Sequence, residues 1–285
     1  MILPERYEGP DWYPSFARFL DEVYPDWHQY YGVVPATQAE IRETAEKLMP
    51  EIPALPEEHM VFLAHMGGRG LDLKRRARLY GSGQLSLTTD GETCLEIGSY
   101  DHLDEGDTLA YCFPREGPPH LVWRDRGSEP VSGQIKVADS LGQLLCGQAF
   151  LADGMEQFPF HQRFYTAFHM HGPPFVPCPE ARDYLKAHLG EDLSEKELED
   201  IGFRIRTGEL EGILKGQGYE RAWFSTELDR IWLREDTCCI LSRMFDPNDM
   251  FDTVAITVWG ERKEPVWALT EPFKGLGYGC WRELA

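Results

Sequence analysis

Apolar residues between Thr37 and Gly70 recur at helical spacing, bounded by clear start and stop signals. Ile41, Ala45, Leu48 and Met49 fall at i, i+4, i+7 and i+8, which predicts one buried helical face. Thr37 followed by Glu40 is a capping box, in which each side chain satisfies a backbone N–H the helix leaves unpaired. Pro50 and Pro53 stop this helix. Pro56 suits the start of a second, because its missing N–H is not needed there. Glu57 and Glu58 complement the dipole of that first turn, Phe62 and Leu63 supply apolar contacts, and Gly67-Gly68 predicts a left-handed cap. Upstream, Phe16, Phe19, Leu20 and Val23 predict a helix between Pro14 and Pro25. The aromatic cluster Trp27, Tyr30 and Tyr31 that follows reads as packing over a core.

After Gly70 the period changes to alternation. Leu85, Leu87 and Thr89 alternate with polar neighbours, and Leu95 and Ile97, then Leu109, Tyr111 and Phe113, then Leu121 and Trp123 continue the pattern. Turn residues at 89–91, 104–107, 117–119 and 127–128 separate these runs, so an antiparallel sheet is predicted. Ser140 with Gln143 caps a helix over 141–150. Gly154 marks a change, followed by an aromatic helical stretch over 158–170 and a proline-rich linker over 171–179. Helices are predicted at 179–189, 194–201 and 208–217, and strands at 222–224, 230–233, 238–241, 254–259 and 266–269. The fold class is therefore α+β: an aromatic N-terminal extension (1–36), a sheet domain with flanking helices (37–152) and a second α+β domain (153–285), either unrelated or a divergent copy of the first.

The two capped helices, the Leu55-Pro56 step and the Gly67-Gly68 stop resemble the start of the SUKH superfamily of Smi/Knr-type proteins. The resemblance continues through Leu79-Tyr80-Gly81, Ile97-Gly98, Gly106-Asp107 and Ala138-Asp139-Ser140-Leu141, and covers roughly residues 37–150. It implies a SUKH-like antiparallel sheet with flanking helices. It also implies the function of many bacterial members, immunity proteins that neutralise a toxin delivered by a neighbouring or sister cell. Eukaryotic members imply an alternative, a regulatory scaffold.

Charge sharpens the partner class. Lys and Arg number 28 against 48 Asp and Glu, a net charge of −20, which repels nucleic acid and anionic membranes and attracts basic partners. The basic run at 74–78 reads as a solvated loop or a counter-charge to the acidic 101–107 segment. The seven cysteines show no CxxC spacing and read as reduced core residues of a cytoplasmic protein. The first residues lack a basic segment before an apolar run, so no secretory signal is expected, and no apolar stretch reaches the ~18 residues of a membrane span.

No catalytic constellation stands out. The full spacings of a P-loop, GxSxG or HExxH are absent. His161, His169, His171 and Cys178 are the best metal-like grouping, with a solvent-exposed histidine-rich linker as the plainer alternative and a metal-dependent enzyme as its functional corollary. The expectation is no enzyme, no metal and no cofactor. The expected partner is a cognate toxin, basic in charge, with a nuclease as the natural example because its cleft binds phosphates. The candidate surface is the acidic loop Asp101, Asp104, Glu105 and Asp107, with Glu116 and Asp125 on neighbouring loops and Tyr100 and Trp123 as aromatic anchors. Solvated loops and core aromatics are the competing reading of the same residues.

Overall fold

The computed structural model describes residues 1–74, 77–89, 92–99, 108–124, 134–166, 207–246, 249–274, 276 and 278–281. They form a mixed α+β protein with antiparallel sheets, divided into two compact units. Unit 1 is Met1–Gln157 together with Trp223–Glu227, and unit 2 is Phe158–Ala222 with Leu228–Ala285.

Unit 1 opens with α1 (Tyr13–Val23), the short α2 (Trp27–Tyr30), α3 (Gln38–Leu48) and α4 (Glu57–Met66). Residues 1–36 share the unit's core: Trp12, Phe16, Phe19, Leu20 and Trp27 are buried, and the Phe16 ring meets that of Trp27 edge-on. Thr37 and Glu40 make both halves of the capping box on α3. Met49, expected on the buried face, is exposed, and Thr44 takes the inward place, donating to the Glu40 and Ser82 carbonyls. The double glycine is not a left-handed cap, since Gly67 has φ −86°. A Cβ on Gly67 would lie 2.5 Å from the Leu63 Cα, so the glycine is required by close packing. The left-handed conformation falls at Gly70, with φ +86°.

The sheet of unit 1 consists of β1 (Leu71–Asp72), β2 (Arg78–Leu79), β3 (Ser86–Thr88), β4 (Thr93–Ser99), β5 (Thr108–Phe113), β6 (His120–Arg124) and β7 (Gln134–Ala138). Its order is β1-β2-β4-β5-β6-β7, all antiparallel, and β3 also pairs with β4. α5 (Leu141–Ala152) follows β7, with Ser140 Oγ accepting from Gln143 N at 3.0 Å. Nearly every residue of α5 is buried, as its all-round apolar sequence requires. α1, α4 and β7 pack on it, and Phe224 completes its cover against Phe150, with ring centroids 5.1 Å apart. Gly147 permits that approach, because a Cβ there would sit 2.5 Å from the Phe224 carbonyl oxygen.

Unit 2 contains β8 (Phe160–Thr166), α6 (207–216), β9 (Glu220–Arg221), β10 (Asp229–Arg234), β11 (Thr237–Asp246), β12 (Asp249–Gly260), α7 (Lys263–Ala268), α8 (Thr270–Lys274) and β13 (Tyr278–Trp281). The sheet order is β13-β8-β12-β11-β10-β9. Its core gathers Phe164, Leu210, Leu214, Trp232, Ile256, Val258, Val266 and Phe273. Three expectations change here. The aromatic stretch expected to be helical contains β8, paired with β12 from Phe164↔Ile256 to Phe160↔Gly260. The 266–269 run lies in and just after α7, where Pro265 stands in the first turn and Val266, Leu269 and Phe273 fall on one buried face. Residues 222–224 are not a strand. The Trp223 ring meets Tyr7 edge-on at 5.5 Å, and its Nε1 donates to the Pro4 carbonyl, which draws this segment into unit 1. The helices expected at 179–189 and 194–201 lie outside the described residues. Among the described residues no helix is long and apolar enough to cross a membrane.

Candidate functional site

Strand direction sorts the predicted surface. β4 ends at Ser99, β5 begins at Thr108, β6 ends at Arg124 and β7 begins at Gln134, and these four termini lie at one end of the sheet. Thr108 is paired with Arg124, and Arg124 with Gln134, so neighbouring exits stand about one strand spacing apart, ~4.8 Å. Ser99 and Thr108, and Arg124 and Gln134, are the described residues on either side of positions 100–107 and 125–133. Tyr100, Asp101, Asp104, Glu105, Asp107 and Asp125 themselves lie outside the described residues. Arg124 donates to Thr88 Oγ1, which ties the end of β6 to β3.

Two members of the predicted set do not join this end. Glu116 is exposed, but it sits in the β5–β6 turn at the opposite end of the strands, beyond the Cys112↔His120 pair. Six residues of β5 separate the two ends, roughly 16–20 Å. Trp123 is a core residue at 7% exposure and cannot be an anchor for a partner. It stands opposite Leu109 and Ile135 at the centre of β6, where Leu121, Val122 and Trp123 are all buried, so both faces of the strand are covered.

Of the metal-like grouping only His161 is described, on β8 with its ring stacked on Trp259 at 4.4 Å; His169, His171 and Cys178 lie outside the described residues. The described residues bring together no three His, Cys, Asp or Glu side chains able to hold a metal ion. Cys94 and Cys112, expected as thiols, are joined by a disulfide across β4 and β5, with Cα atoms 4.3 Å apart. Direct opposition on paired strands makes this bond, a signal that sequence spacing does not carry. Cys146, Cys238 and Cys239 are buried thiols whose pKa values burial pushes upward, which keeps them protonated and unreactive.

A polar cluster at the start of α5 is structural in its chemistry. Glu58 Oε2 accepts from Leu141 N at 2.5 Å, the Tyr7 hydroxyl lies 2.6 Å from Ser140 Oγ and 3.5 Å from Glu58 Oε1, and Trp12 Nε1 donates to the Glu58 carbonyl. An internal carboxylate thus occupies the positive end of the helix. Burial raises the Glu58 pKa against the hydrogen bonds that lower it, and burial likewise raises that of Tyr7.

The basic run contributes an ion pair that sequence reasoning missed. Lys74 Nζ lies 2.5 Å from Asp153 Oδ1, 2.9 Å from Glu156 Oε1 and 3.3 Å from the Ala152 carbonyl oxygen. Lys74 is therefore not a solvated loop residue, while Arg75, Arg76 and the 101–107 segment lie outside the described residues. The partners of Lys74 stand about eighty positions away in sequence, and no local pattern points to them.

No family model, curated protein or solved structure matches this chain.

Proposed function

We propose that this chain is a non-enzymatic recognition protein of the SUKH type, whose acidic surface engages a basic toxin protein and neutralises it. The observation that carries this reading is the order of elements in unit 1. A boxed α3, a proline-started α4, an antiparallel meander and a Ser-capped α5 follow one another as the resemblance implies. The ends of β4, β5 and β6 that adjoin positions 100–107 and 125 in the sequence fall at one end of the sheet, which supports a single acidic face there. A net charge of −20 favours a basic partner by long-range steering, and the same charge disfavours nucleic acid and anionic membranes. The reading expects a cytoplasmic chain. The Cys94–Cys112 disulfide weighs against a permanently reducing compartment.

Co-expression with the product of the adjacent reading frame tests the proposal. The expected result is a stoichiometric complex and restored growth of cells that the product alone kills. A lethal neighbour that neither binds nor is neutralised by this chain contradicts it.

A further inference from the structure

The surroundings of Lys74 are those of a built ammonium site. Lys74 Nζ donates to Glu156 Oε1 and the Ala152 carbonyl and is ion-paired with Asp153 Oδ1, and the rings of Tyr24 and Tyr30 lie 5.3 and 5.8 Å from it. Both distances are within cation–π range. Tyr31 fixes the deeper carboxylate, its hydroxyl donating to Asp153 Oδ2 at 2.6 Å. The Asp153 side chain is 2% exposed, whereas Tyr30 is 57% exposed and the Glu156 side chain 71%. The cage therefore has a buried anionic floor and an aromatic rim open to solvent. Its present occupant is held at a cost, because Lys74 has φ +44°, a left-handed backbone that costs a residue with a Cβ about 1 kcal/mol.

We propose that this cage is a recognition site for a lysine side chain of a basic protein partner, and that Lys74 is a tethered competitor which the partner's lysine displaces. A tethered group competes at an effective concentration on the order of millimolar, so the resident lysine screens out weak amines and yields to a lysine delivered by a docked surface. Floor, rim and tether all belong to unit 1. The inference does not depend on the partner being a toxin.

The test uses the full chain with Lys74→Gly, which empties the cage and suits the positive φ. The probe is an acetylated, amidated Gly-Ser-Lys-Ser-Gly peptide, with a norleucine peptide of the same length as control, followed through the ring-proton shifts of Tyr24 and Tyr30. Lys74→Gly should bind the lysine peptide at least about tenfold more tightly than the parent chain. The norleucine peptide should not bind, and adding Asp153→Asn should remove the gain. Should Lys74→Gly fail to fold, Lys74→Asn, which also tolerates a left-handed backbone, replaces it. Equal affinity of the variant and the parent overturns the proposal, as does lysine binding that survives Asp153→Asn.

Discussion

His59 is the most exposed to test of the single residues, because it is fully buried on α4 between Phe62 and Tyr111. Neither ring nitrogen has a hydrogen-bond partner among the described residues, and burial lowers its pKa from 6.5 to about 3. The folded ring stays neutral while the unfolded ring takes a proton below about 6.5. Its contribution to stability is complete above that pH and is lost as pH falls toward 3, by up to about 1.4 kcal/mol per unit. Neighbouring Glu58 acts with the opposite sign: its raised pKa favours the fold at low pH and costs stability as pH rises through the folded value. Comparing variants separates the two. His59→Leu should be neutral or more stable at pH 7, and between pH 7 and 5 it should lose about 2 kcal/mol less than the parent in urea unfolding. Parallel losses would remove this account. At this scale the sequence was only partly readable. The capping box on α3 and the Ser140 cap are local and were legible. The burial of Trp123 and the packing role of Gly67 depend on residues that strand register and chain approach bring near.

Elements depend on a few cross-chain bonds. Glu58 holds the start of α5 through Leu141 N, so Glu58→Ala should cost about 1–2 kcal/mol in denaturant unfolding, and Glu58→Gln less. An unchanged midpoint for the alanine variant would show that water caps the helix equally well. The pairing of β4 with β5 is reinforced by Cys94–Cys112, which closes a loop of 18 residues. Reduction, or Cys94→Ala with Cys112→Ala, should cost roughly 3 kcal/mol. Mass spectrometry of the native chain after thiol labelling checks that the pair is oxidised, and labelling of both cysteines without a reductant would contradict it. Period separated helix from strand over much of unit 1: α1, α3, α4, β4, β5 and β6 lie where alternation or helical spacing predicts them. It failed in the 158–170 stretch, which contains β8, and at 222–224 and 266–269, where aromatic-rich runs fit either period and tertiary packing decided the outcome.

For the whole molecule, charge and element order carry the argument. Half of the organisation was legible, because the fold of unit 1 follows from local signals in continuous sequence. Its composition was not, because residues 1–36 enter its core and Trp223–Glu227 return to it from far along the chain. The proposed acidic face shows the same division. Sequence supplied its carboxylates, while strand direction sets Glu116 at the opposite end of the sheet from Thr108 and Arg124, and Asp101, Asp104, Glu105, Asp107 and Asp125 lie outside the described residues. The most direct measurement is the association rate between the full chain and the adjacent reading frame's product, by stopped flow at low and moderate salt. The comparison is the parent against Asp104→Asn/Glu105→Gln/Asp107→Asn. Steering by this face predicts a rate that falls several-fold with salt, and a variant that is slower at low salt and less sensitive to it. A rate indifferent to both salt and these three substitutions would contradict the account.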